Sequence, residues 1–125
     1  MAMKLNKTAF KQAKELIGEG LVVPDDRDAW SEHQPSAEEE NEFILRRGYE
    51  EYAKWHLGID EAKGEHTKGR YKFPYGDFKK VHRCAVISAE SRAGQYGYED
   101  IESAAAHLHG MIESTKPESR LASKK

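Results

Sequence analysis

Only one cysteine, Cys84, occurs in the 125 residues of this chain, so no intrachain disulfide can form and no cysteine-rich zinc site is available. Such cysteine usage predicts a reducing, cytoplasmic setting. Long apolar runs are also missing. Nothing approaches the ~20 apolar residues that span a bilayer, and the opening MAMKLNKTAF lacks the apolar stretch of a secretion signal. The expectation is a soluble chain with no membrane contact. Charge of one sign is scarce too: a net charge of -2 gives no global pull toward nucleic acid or lipid. There is no His-Glu-x-x-His spacing and no internal repeat. Nothing calls for a cofactor or a metal.

What is present describes one thin-cored domain. Apolar residues make up 38% and charged residues 34%, which predicts a single domain over residues 1–114 and a disordered polar tail over 115–125. The charge is unevenly spread. Asp25 to Glu51 holds ten acidic residues against Arg27, Arg46 and Arg47, a net of -7, whereas Lys63 to Arg83 holds seven basic residues against Glu65 and Asp77, a net of +5. Two such segments pack side by side or make a bipolar surface.

The periodicities predict a mainly α fold, about four helices in a small orthogonal bundle with a short extended segment before the third. Phe10, Ala13 and Ile17 space a first helix from about Lys7, stopped by Gly18 and Gly20. Leu21 to Val23 reads as strand-like, Pro24 to Asp28 as a turn, and Asp28 to His33 as a single helical turn carrying Trp30. Ser36 and Glu39 form a capping-box pattern opening a second helix that is expected to run to about Leu57, with Gly48 a kink or close contact and Gly58 its terminator. A loop follows. Tyr71, Phe73 and Tyr75 then alternate with Lys72 and Pro74 as an edge segment, and Asp77 is expected to cap a third helix with Phe78, Val81, Ala85, Ser88 and Arg92 on one stripe. The fourth helix opens at Tyr98 and buries Ile101, Ala104, Ala105, Leu108, Met111 and Ile112.

Candidate chemistry centres on Lys68 to Ala93. Cations and aromatic rings side by side suit single-stranded nucleic acid, yet on an extended segment Arg70 and Lys72 point to one face and Tyr71 and Phe73 to the other. That separation favours rings in the core and solvated cations. Arg70, Lys72, Lys79, Lys80 and Arg83 are therefore the expected partner-binding positions, with Pro74 and Asp77 forming a structural turn. The histidines diverge on paper. His107 and His109, like His82 and Cys84, are two residues apart, which on a helix separates side chains by about 200 degrees. Cys84, two turns into its expected helix, reads as a small buried residue rather than a nucleophile.

The run Lys72-Phe73-Pro74-Tyr75-Gly76-Asp77, followed by Val81, Cys84 and Ala85 and then by Ile101, Ala104, Ala105 and Leu108, resembles a segment of small prokaryotic proteins of unknown function. In these a basic-aromatic-Pro-apolar-x-Asp turn introduces two short alanine-rich helices, and similar stretches accompany phage prohead-maturation proteins. The resemblance spans residues 70–112 and implies a turn and cap at Pro74 and Asp77, with no catalytic residue. The chain departs from the pattern at Lys80, where the pattern has histidine. The leading expectation is a non-catalytic interaction or regulatory module contacting a protein partner or a second copy of itself. The alternatives are a single-stranded nucleic-acid binder and, third, a metal-binding protein or enzyme.

Overall fold

The computed structural model describes residues 3–115. Asn6 organises the first third of it. Strand β1 (Met3–Leu5) leads into Asn6, whose side chain accepts a 3.2 Å bond from the Ala9 amide and starts helix α1 (Lys7–Gly18). The same buried side chain donates to the Ala53 carbonyl at 2.9 Å, and the Asn6 backbone N–H donates to the Leu57 carbonyl at 2.8 Å. Ala13 and Ile17 face the core as their spacing predicts, but the third buried position is Ala9, four residues before Ala13, while Phe10 is only half-buried. Strand β2 (Val22–Val23) and the single turn α2 (Trp30–His33) follow.

Helix α3 (Ala37–Ala53) carries both arms of the Ser36–Glu39 capping box. Gly48, at φ 87 and ψ 167, breaks it into two pieces. It stops at Ala53, short of the expected Leu57. Residues from His56 onward form strand β3 (His56–Asp60), the centre of an antiparallel sheet between β1 and β4 (Tyr71–Pro74). Gly58 is therefore a strand residue rather than a helix terminator. A Cβ there would lie 2.8 Å from the Phe73 ring, so the central strand needs glycine. Pro74 sits on the edge strand, where a missing amide is tolerated.

The third helix also differs from its expectation. Asp77 caps a turn, not a helix: its Oδ1 accepts the Lys79 and Lys80 amides at 3.0 and 2.8 Å, and its amide donates to the Lys80 carbonyl at 3.1 Å. The short strand β5 (Val81–His82) then pairs in parallel with β2, and only at Arg83 does helix α4 (Arg83–Tyr96) begin. Gly97, at φ 76, turns the chain into α5 (Glu99–Thr115). Small residues Ala89 and Ala93 let α4 lie close to α5, whose Ile101, Ala105, Leu108 and Ile112 share the core with β3 and α1. The architecture is mainly α but has two small sheets, so it is not a pure four-helix bundle. The tail expected from 115 onward lies, from residue 116, outside the described residues. No helix among them is long and apolar enough to cross a membrane.

Candidate metal centre

Asp25, His33, His82 and Cys84 come together although the sequence separates them by up to 59 residues. Parallel pairing of β2 with β5 places Val23 beside His82, and the chain leaving each strand enters the same corner. Past Pro24 the Asp25 amide bonds back to the Val23 carbonyl at 2.9 Å, turning the carboxylate across the joint. One helical turn later Trp30 and His33, three apart, project the same way. On the other side His82 is still extended, at φ -107 and ψ 126, while Cys84 lies in the first turn of α4.

Asp25 is the hub. Its Oδ2 meets His33 Nδ1 at 2.6 Å, His82 Nδ1 at 2.7 Å and Cys84 Sγ at 3.1 Å. Its Oδ1 accepts the Cys84 amide at 2.8 Å, so a residue 59 positions away caps helix α4. Arg83 donates to the Asp25 carbonyl at 3.0 Å and to Glu113 at 2.6 Å. Glu113 in turn meets His109 Nε2, whose Nδ1 meets Glu90. The second nitrogen of His82 reaches Asp77 Oδ2 at 2.9 Å, and the Trp30 ring lies 5.6 Å from the His82 ring.

Burial would raise the Asp25 carboxyl, but the bonds from His82, Cys84 and His33 outweigh it and hold the pKa at about 2. The neighbouring Cys84 thiol is pushed up to about 12, by burial first, then by its hydrogen bond to the Asp25 carboxylate and by that group's charge. Without a cation this cysteine is a protonated thiol and a poor nucleophile. The Asp77 carboxyl is lowered because the bonds from His82 and the turn amides prevail over its burial.

Four donor atoms, all within 4.8 Å of one another, comprise one carboxylate oxygen, two imidazole nitrogens and one sulfur. Tetrahedral zinc with bonds of roughly 2.0–2.3 Å spaces its ligands about 3.3–3.8 Å apart. The Asp25 contacts are shorter than that, so an ion would replace hydrogen bonds that now converge on one oxygen.

The positions expected from sequence fall differently. Lys72, Lys79 and Lys80 are exposed, with no ion pair among the described residues, and the latter two share the Asp77 turn. Arg70 is half-buried and bonds to the Lys63 carbonyl. Arg83, at the first position of α4, donates to Glu113 and to the Asp25 carbonyl. Asp77 organises a turn in place of the helix start expected of it, and it also holds His82. Sequence reasoning separated His82 from Cys84 by assigning both to one helix. The strand-to-helix change between them brings both side chains to Asp25. No local signal marked Asp25 or His33, whose turn was legible but not its destination.

A groove of about 990 Å³ adjoins this corner. Trp30 and Ser31 of α2 line it, with Gln34 just beyond that turn, Lys72 and Phe73 from β4, and the buried His56. The chain matches no protein-family model, no curated protein and no solved structure.

Proposed function

We propose that this protein is a small metal-binding module holding one borderline divalent ion, Zn²⁺ foremost, through Asp25 Oδ2, His33 Nδ1, His82 Nδ1 and Cys84 Sγ. The observation carrying this reading is the convergence of three donors on a single carboxylate oxygen. One such oxygen offers about two lone-pair directions, fewer than the three groups aimed at it, whereas an ion at the centre of the four would engage each ligand separately. The donor set of nitrogen, sulfur and oxygen suits zinc rather than magnesium or calcium.

The surroundings support the same reading. Asp77 holds His82 Nε2 at 2.9 Å, so that an ion taking the place of the Asp25 contact would be met by Nδ1, and the Cys84 amide occupies Asp25 Oδ1, leaving Oδ2 for coordination. Four protein ligands complete a tetrahedral shell with no position open to water. A structural or regulatory role follows, in keeping with a non-catalytic module. The exposed Lys79 and Lys80 share the Asp77 turn with this centre and form its contact surface for an acidic partner.

Ligation must displace the Cys84 proton, so affinity rises about tenfold for each pH unit below the thiol pKa, and more steeply if an imidazolium also loses its proton. Competitive titration of Zn²⁺ at pH 6, 7 and 8 measures this. Co²⁺ substitution should give the intense near-ultraviolet sulfur-to-metal absorption, and Cys84→Ser should remove it. Elemental analysis finding no bound ion, together with no Zn²⁺ uptake in titration, would falsify the assignment.

A further inference from the structure

The same ion has a second consequence, which rests on the metal reading above. We infer that it is the clasp of a strap: residues 24–34 are pinned against the domain when the centre is filled and, held only by hydrogen bonds when it is stripped, open far more often, so metal occupancy sets how long one wall of the adjoining groove stays in place.

Nothing else holds these residues firmly. Apart from the covered carboxylate of Asp25, none of residues 24–34 is buried, and neither Trp30 nor Ala29 joins the hydrophobic core. The backbone bonds of the segment are local: Ala29 to Asp26, His33 to Ala29, Gln34 to Trp30, and the turn bond from Asp25 to Val23. Beyond that turn bond, every hydrogen bond and ring contact described as leaving the segment ends on His82, Arg83 or Cys84. The docking therefore passes through one small patch at the β5–α4 junction.

The ligands divide evenly across that joint. Asp25 and His33 belong to the strap, His82 and Cys84 to the domain. An ion bound by all four exchanges solvent-competitive hydrogen bonds for four coordinate bonds, two anchored on each side. Removing it leaves the strap with the Asp25 and Arg83 contacts and the face of Trp30. Because Arg27, Asp28, Trp30, Ser31 and Gln34 line the groove, each opening removes that wall.

Amide hydrogen exchange of the full chain tests this, comparing Zn²⁺-loaded with chelator-stripped protein while native mass spectrometry counts bound zinc. The Ala29, His33 and Gln34 amides, bonded inside the strap, should exchange at least about tenfold more slowly with zinc bound, while α5 amides change far less. His33→Gln removes one strap-side ligand at an exposed position. It should reduce this protection while the α5 amides of the variant stay protected. One zinc per chain with unchanged strap exchange overturns the clasp and leaves the metal site standing. Undiminished zinc protection in His33→Gln also overturns the clasp. No bound zinc removes the metal site and the clasp together.

Discussion

His56 and Asp25 are both buried titratable groups, yet they respond to acid in separate pH windows. His56 donates from Nδ1 to the Tyr52 carbonyl at 2.9 Å, and burial, only partly offset by that bond, lowers its pKa from 6.5 to about 4. Below pH 6.5 the unfolded chain binds this proton and the folded chain does not, so stability falls as pH drops toward 4, by on the order of 3 kcal/mol. Asp25 has the opposite starting charge. Its folded pKa of about 2 lies under the unfolded 3.8, so its contribution is present above pH 4 and is lost as pH falls toward 2. Urea unfolding of metal-free protein at pH 7, 5 and 3 separates the two: His56→Gln should flatten the loss between pH 7 and 5. An equally steep loss in the variant would show that another group carries it.

Within the elements, Gly48 illustrates how a helix can be legible while its shape is not. The capping box and the acidic first turn announce α3, but whether Gly48 packs closely or bends the helix is undecidable from composition. Open space surrounds its missing side chain, so close packing is not its role. Its φ of 87 with ψ of 167 is a region that only glycine enters easily. Gly48→Ala should therefore lower stability by about 1–3 kcal/mol despite alanine's better helix propensity. Thermal melts by circular dichroism decide the sign, and a higher melting temperature would mean that the helix straightens at no cost. The Asp77 turn is a related case. Phe78 adopts φ 72, unfavourable for an aromatic residue, and the stack of its ring on Phe43, with centroids 4.3 Å apart, helps hold it there. An Asp followed by an apolar stripe reads equally as helix cap or side-chain-bonded turn, and here tertiary contacts chose the turn.

Across the whole molecule, what could be read from sequence was what short-range chemistry determines. Helix α1, the Trp30 turn, the α3 start and the α5 stripe all follow from caps and periodicity within a few residues. The sheets do not, because β3 pairs on one side with β1, far from it in sequence, and its buried His56-Leu57-Gly58 run has no period that distinguishes strand from helix. The Asp25 corner was illegible for the same reason. That separation of 59 residues also dictates an order of events. Closing so long a loop costs entropy before any ligand meets its partners, whereas the α4–α5 hairpin forms from neighbours in sequence. The corner should thus assemble after the folding transition state, and an ion bound there would act as a brake on unfolding rather than an accelerator of folding. In stopped-flow measurements Zn²⁺ should lower the unfolding limb and leave the folding limb in place. A zinc-dependent folding rate would put the corner in the nucleus.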